Sequence, residues 1–303
     1  MQAVVQRPHF EVADVFRARA ARFIEQYETT SQQRKVIRHL SECRTAALGG
    51  HVDACDSCGH TRVSYNSCRD RHCPKCQNLK KAEWLAQRKE RLLPIHYFHV
   101  VFTLPDDLNE LILCNRTRLF HLLFRAASQT LSEIGRDPKH LGAEIGFTAI
   151  LHTWGQQLQF HPHLHCVVTG GGIALDGSRW IATKENFLFP VKVLGRLFRG
   201  KFLAELKQLH DSGKLDLTGA CAGRDQPGPW KRLLNRLYAV DWVVYAKPPF
   251  GGPEQVFQYL GRYTHRVAIS NDRLRDVSEN DVAFRYRDYR DERRSKILRI
   301  SLL

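Results

Sequence analysis

No stretch of this 303-residue chain reaches the about 18 consecutive apolar residues that a membrane-spanning helix needs. The opening MQAVVQRPHFEVADVF also lacks the apolar centre of a secretory signal. Together these absences lead to the expectation of a cytoplasmic protein, neither anchored nor exported, whose thiols stay reduced. Internal repeats and low-complexity tracts are missing too, which excludes a solenoid or a linker-like chain. Acid is in short supply: 31 Asp and Glu against 46 Lys and Arg leave a net charge of +15. Such an excess seeks a polyanion, most economically nucleic acid and not a membrane.

What is present is unevenly spread. Six of the nine cysteines (Cys43, Cys55, Cys58, Cys68, Cys73 and Cys76) fall in one short segment, while Cys114, Cys166 and Cys221 are scattered. Clustered thiols in a reducing compartment favour a metal over disulfides. Cys55-x-x-Cys58 and Cys73-x-x-Cys76 stand 14 residues apart, the spacing of two knuckles that close one four-thiolate zinc site. A unit this small has too little apolar surface to fold without the ion, so structural Zn²⁺ held by Cys55, Cys58, Cys73 and Cys76 is expected. Cys43, His51, His60, Cys68 and His72 lie in the same segment and could replace a ligand or be merely packed. Around them Arg62, Arg69, Arg71, Lys75, Lys80 and Lys81 form a basic surface, fit for DNA or simply solvated.

The chain is long enough for more than one domain. Residues 11–40 carry helical spacing, with Val12, Val15, Phe16, Ala20 and Phe23 on one face, and predict a helical leader over 1–40. A zinc-binding module over 41–80 and a basic linker helix over 81–95, ending before Pro94, follow. From 96 onward YFHVVFTLP reads as a buried strand, LNELILCNRTRLFHLLFRAASQTLSEIG as one or two helices, and GFTAILHTWGQQLQFHPHLHCVVTGGG as a hairpin turning near Trp154 and Gly155. LFRGKFLAELKQLH is predicted helical, GACAGRDQPGPW a loop, AVDWVVYAK a strand, and Gly252 and Pro253 open another helix. Strand, helices and hairpin in that order give an α+β sheet domain over 96–303.

Within the hairpin, FHPHLHCVVTG alternates strictly. His161, His163 and His165 share one pleated face, and Phe160, Leu164, Cys166 and Val168 share the other. One such histidine would be an ordinary solvated ring. Three in a row, with the convergent His-x-His pair, point to a divalent ion whose identity the stretch leaves open.

In PEQVFQYLGRYTHR, Tyr259 and Tyr263 lie four residues apart and so share a helical face. Two phenols beside a metal that grips a phosphate can supply the nucleophile for transesterification. A packing helix is the plainer reading of a Tyr-x-x-x-Tyr pair. Arg262, His265 and Arg266 favour the chemical one, as does Gly261 between the tyrosines, costing a helix about 1 kcal/mol. Tyr286 and Tyr289 sit among alternating charges and fit a solvated edge or a DNA-contact surface.

With the motifs HVVFTLP, HTWGQ, HPHLHCVVTGGG and YLGRYTHRVAIS in this order, behind CDSCGH and YNSCRDRHCPKCQ, most of the chain resembles the two-tyrosine HUH transposases of the insertion sequence 91 family. The resemblance implies a small ribbon-like zinc module followed by an HUH-type nuclease domain, an antiparallel sheet with helices on its face. It further implies a single-strand DNA endonuclease and strand transferase of rolling-circle transposition, acting at transposon ends through a 5′-phosphotyrosine link. Tyr259 and Tyr263 would be its nucleophiles, with Arg262, Arg266, Lys80, Lys81 and Arg71 on the DNA. His163 and His165 would hold Mg²⁺ or Mn²⁺, although hard ions ordinarily prefer oxygen. A third ligand is expected at His152, across the hairpin, with His161, Gln156 and His99 as alternatives. Relatives of the family continue past the point matching Lys296, so a C-terminally shortened catalytic domain is expected. The competing readings are a zinc-dependent DNA-binding protein without catalysis, which forbids nicking, and a related replication initiator or relaxase, which the cysteine module disfavours.

Overall fold

A computed structural model describes residues 8–247, 267–288, 291–292 and 294–302 of the chain, with only the backbone described at 78, 79, 81, 88, 89 and 247. It divides into two compact units, Met1–Gln87 with Gln156–Gln159 and Gly261–Leu303, and Arg88–Gly155 with Phe160–Leu260. The units do not follow chain order.

The first unit opens with α1 (Val12–Gln26) and α2 (Ser31–Glu42), where the sequence suggested one continuous helical stretch. Thr30 makes the break. Its hydroxyl accepts from the Gln33 N–H at 3.2 Å while the Gln33 side chain accepts from the Thr30 N–H at 2.8 Å, a capping box that starts a new helix. β1 (Gly50–Ala54) and β2 (Thr61–Tyr65) then form an antiparallel hairpin that is almost wholly exposed, and α3 (Pro74–Lys89) follows. Pro74 stands at the first position of α3, where its fixed φ and missing N–H cost nothing. The core of this unit is made by Val12, Leu40, Cys43, Cys73, Cys76, Leu274, Val282 and Phe284.

The second unit is built on β3 (Tyr97–Thr103), β4 (Ala143–Trp154), β5 (Phe160–Ala174), β6 (Trp180–Ala182) and β7 (Val244–Lys247). Their antiparallel sheet runs β4-β5-β3-β7, with β6 paired to β5. Alternation divides its faces. Phe98, Val100 and Phe102 of β3 and Leu164, Cys166 and Val168 of β5 are buried against α4 (Asn109–Cys114), α5 (Arg116–Arg136), α6 (Val191–Asp211) and α7 (Pro227–Ala239). Each fully buried large apolar side chain there is worth about 1.5–3 kcal/mol of transfer free energy. α7 is a helix where the sequence suggested a loop running to Trp230; Pro227 at its first turn is the signal that was there to read. The glycines of TGGG let β5 pair tightly on both sides. A Cβ at Gly172 would stand 2.3 Å from the Glu144 carbonyl oxygen, and one at Gly171 2.5 Å from that of Ile181.

The charged C-terminal stretch, to which the sequence reading assigned no element, belongs to the first unit as β8 (Leu274–Val277), β9 (Asp281–Asp288) and β10 (Arg294–Ser301), an antiparallel sheet in the order β10-β9-β8. Ion pairs link its strands: Lys296 lies 2.9 Å from Asp288, and Arg299 lies 3.0 Å from Asp276.

Candidate metal centres

The face of the second unit's sheet away from the helices carries the histidines. β4 and β5 pair so that His152 stands directly opposite His163, with Ile150 opposite His165. On one pleated face the side chains of directly opposed residues meet. His152, His163 and His165 are 1%, 9% and 6% exposed, and one nitrogen from each lies within 4.8 Å of the others. The His152 and His165 ring centroids are 4.3 Å apart, and Trp154 stacks on the outer face of His152 at 5.2 Å.

Backbone fixes one tautomer in this group. His163 Nδ1 is 2.7 Å from the His161 carbonyl oxygen, which can only accept, so Nδ1 carries the proton and Nε2 presents a lone pair. That lone pair faces His165 Nε2 at 3.0 Å. Two donors about 2.1 Å from one ion and about 90° apart are themselves ~3.0 Å apart, so the spacing suits a shared cation. Burial is the main force on the titration of these rings. It pushes His163 down to about 4 and His165 well below the usual imidazole value, with the neighbouring histidines adding repulsion. Both are therefore neutral at pH 7, the form that binds metal. Three imidazoles without a carboxylate make a nitrogen-rich donor set that leaves further positions on an ion to water or substrate oxygen.

The three alternatives stand outside this group of nitrogens. His161 Nδ1 is 3.6 Å from Asp106; its ring centroid lies 5.2 Å from that of His163, and its carbonyl accepts from His163 Nδ1. Gln156 belongs to the first unit, where its carbonyl accepts from Arg273. His99 sits behind His165, its Nε2 2.8 Å from His165 Nδ1, and burial likewise pushes it to about 4.

A second cluster lies in the first unit. Cys43 at the end of α2, Cys68 in the loop after β2, and Cys73 and Cys76 at the start of α3 bring four sulfurs within 4.8 Å of one another. Cys43 is 3.5 Å from both Cys73 and Cys76, and Cys68 is 3.6 Å from Cys76. A tetrahedral ion with bonds of about 2.3 Å sets its sulfurs ~3.8 Å apart, so the group has the size of a thiolate zinc site. The thiols already share protons unequally: hydrogen bonding from Cys73 chiefly lowers Cys43, to about 5, while burial raises Cys68 to about 12. Asp70 braces the loop. Its carboxylate takes His39 Nδ1 and His72 Nδ1, each at 3.0 Å, and the His72 N–H at 2.9 Å; burial opposes its ionisation, but these bonds hold it below the usual carboxylate value.

This cluster differs from the set expected from spacing. Cys73 and Cys76 are in it; Cys55 and Cys58 are not, and Cys43 and Cys68 stand in their place. Cys55 and Cys58 are exposed at the turn joining β1 to β2, where the Cys55 N–H donates to His60 and the Gly59 N–H to Cys55. Two Cys-x-x-Cys pairs in sequence cannot say which chain path brings other thiols closer. Cys43 follows the helical pattern of α2 directly, which is the one hint that it ends facing the core.

Among the expected DNA-contacting residues, Arg71 and Lys80 are exposed, and the Lys81 side chain is not described. Tyr259, Tyr263, Arg262 and Arg266, with the helix expected from Gly252 and Pro253, lie outside the described residues, as does Tyr289. Among the described residues no helix is long and apolar enough to cross a membrane.

A nitrogen centre on an antiparallel sheet and a thiol cluster in a separate unit are joined in one chain, a pairing that comparison with known proteins places. Residues 146–302 match the family described as "Putative transposase", and residues 15–104 match "Transposase zinc-binding domain". The chain is 53% identical over 292 residues to "Putative transposase y4qJ" of Sinorhizobium fredii, covering 96% of this chain and 73% of the relative. It is 29% identical over 265 residues to the transposase for insertion sequence element IS801 of Pseudomonas savastanoi pv. phaseolicola, covering 85% of this chain and 61% of that one. Among solved structures, the conjugative relaxase TRWC in a copper-bound complex with oriT DNA aligns at a TM-score of 0.30 and 11% identity, over 55% of this chain and 68% of that one. The chain belongs to the insertion sequence 91 family of transposases, with the family's N-terminal zinc-binding domain.

Proposed function

We propose that this chain is the nuclease of an HUH-type transposase, a metal-dependent enzyme that nicks single-stranded DNA at the ends of an element and transfers the strand. The observation that carries the reading is the convergence of three buried imidazoles, His152, His163 and His165, on one face of the sheet. These residues would hold Mg²⁺ or Mn²⁺, which when bound supplies Lewis acidity toward a phosphate oxygen. Tyr259 or Tyr263 would attack the phosphorus through its phenolic oxygen. A P–O bond to tyrosine forms, the bond from phosphorus to the 3′-oxygen breaks, and the phenolic proton is passed on to leave a 3′-hydroxyl and a 5′-phosphotyrosine. Attack by a second 3′-hydroxyl reverses the step and completes transfer without an external energy source.

The rest of the chain fits this chemistry. The net charge of +15 suits a DNA-bound protein working in the cytoplasm, with Arg71, Lys80, Lys81, Arg262 and Arg266 on the phosphates. Cys43, Cys68, Cys73 and Cys76 would hold structural Zn²⁺, tying α2 to α3 and shaping a module that helps recognise the element's ends.

The test is a covalent adduct. Full-length protein, Mn²⁺ and an oligonucleotide bearing an element end should give a denaturant-resistant complex on gels. His163→Ala should abolish it, and so should Tyr259→Phe with Tyr263→Phe combined. An adduct that persists in the double variant would move the nucleophile elsewhere. Tight, salt-sensitive binding with no adduct under any metal would leave a DNA-binding protein without catalysis.

A further inference from the structure

The imidazole on β3 stands outside the group of three converging nitrogens, yet it lies against a member of that group. We infer that His99 is a positioning residue that frees Nε2 of His165 for the metal by exchanging hydrogen-bond roles with its Nδ1. The inference rests on the metal-centre reading above.

Register brings the two together. His99 pairs with Val167 of β5, so on their common face it stands diagonally beside His165. The rings stack at 5.0 Å with planes 6° apart, and His99 Nε2 is 2.8 Å from His165 Nδ1. His165 Nε2 in turn is 3.0 Å from His163 Nε2, and His163 Nδ1 is tied to the His161 carbonyl at 2.7 Å. The four groups form one continuous chain.

The carbonyl at its end sets the direction of that chain. Because the His161 oxygen can only accept, His163 Nε2 has a lone pair and no proton. Without an ion, the bond at 3.0 Å therefore needs a proton on His165 Nε2. A neutral imidazole carries only one, so His165 Nδ1 then accepts from His99 Nε2–H. When Nε2 of His165 is given to an ion, its proton must sit on Nδ1 instead, buried and in need of an acceptor. The atom 2.8 Å away that can become one is His99 Nε2, with the proton of His99 moved to its own Nδ1. His99 is thus donor in one state and acceptor in the other, a reversal open to imidazole and closed to a fixed carbonyl or an ammonium. An apolar residue at 99 would take this acceptor away from the Nδ1 proton and favour the tautomer of His165 whose Nε2 is blocked. Partners of a metal-bound histidine's outer nitrogen typically contribute about 10–100-fold to metal affinity.

The discriminating experiment compares wild-type protein, His99→Leu and His99→Gln, all full-length and zinc-loaded, by Mn²⁺ titration with electron paramagnetic resonance of the free ion. Melting temperature is recorded without added Mn²⁺. His99→Leu should bind Mn²⁺ about 10–100-fold more weakly while melting as a folded protein. His99→Gln should recover most of that affinity, because its amide can turn either its oxygen or its NH₂ toward His165. Equal affinity in wild type and His99→Leu would overturn the inference, and so would equal weakening in both variants, which would make His99 a packing residue. Wild-type protein that melts normally yet binds no Mn²⁺ would instead refute the metal centre itself.

Discussion

Replacing Cys43 with Ser and, separately, Cys55 with Ser distinguishes the thiol set gathered by the fold from the one suggested by spacing. Cys43 is wholly buried and lies 3.5 Å from the sulfurs of Cys73 and Cys76, whereas Cys55 is exposed at a hairpin turn. Structural zinc contributes roughly 10–16 kcal/mol in small modules that fold around it. Losing one of four ligands removes on the order of a quarter of that, about 3–4 kcal/mol, or ~10²–10³ in zinc affinity. Because Cys43, Cys73 and Cys76 pack with Val12, Leu40, Leu274 and Phe284, the loss should also loosen the core of the first unit. Zinc per chain by elemental analysis, followed by competition with a chromophoric chelator, reads the affinity. Cys43→Ser should surrender its zinc at far lower chelator, and Cys55→Ser should match wild type. If Cys43→Ser keeps tightly bound zinc while Cys55→Ser releases it, the ligand assignment from the fold is refuted.

Other outcomes follow from burial. The unfolded chain takes protons on its histidines below a pH of about 6.5, while folded His99 and His163 resist protonation until about 4, so stability must fall as pH drops through that window. Each contributes up to about 3 kcal/mol to the loss. Urea midpoints at pH 7 and 4.5 should show this, and a His99→Gln, His163→Gln double variant should flatten the dependence; an unchanged slope would contradict it. Mn²⁺ binding by the wild type should likewise persist below pH 6, where an ordinary exposed imidazole is already protonated. In the other core, Phe198 has no exposure and meets Phe102 and Trp242 at centroid distances of 5.0 and 5.3 Å. Phe198→Ala should cost about 3–5 kcal/mol by chemical denaturation.

Local pattern alone was enough for some of this protein. The alternation of FHPHLHCVVTG settles which residues of β5 face the helices and which carry the imidazoles, because a pleated strand has no other way to place them. The apolar run of YFHVVFTLP likewise marks a strand. The break between α1 and α2 was written in Thr30 and Gln33, and the start of α7 in Pro227, although neither signal is as loud as the hydrophobic period around it. β9 and β10 were hidden because their alternating charges form cross-strand pairs, which are visible only when the strands lie side by side.

The metal groups belong to a different order of information. His152 joins His163 and His165 because β4 and β5 pair in the register that sets 152 against 163; a slip of one residue would turn it to the opposite face. Which thiols meet depends on where α2 ends relative to the first turn of α3, so Cys43 and Cys68, which belong to neither Cys-x-x-Cys pair, come together with Cys73 and Cys76. Chemical capacity resides in the residue types and their spacing along the chain. Which of those residues share an ion is decided by register and helix packing, since a coordination shell a few ångströms wide tests positions that local periodicity leaves free.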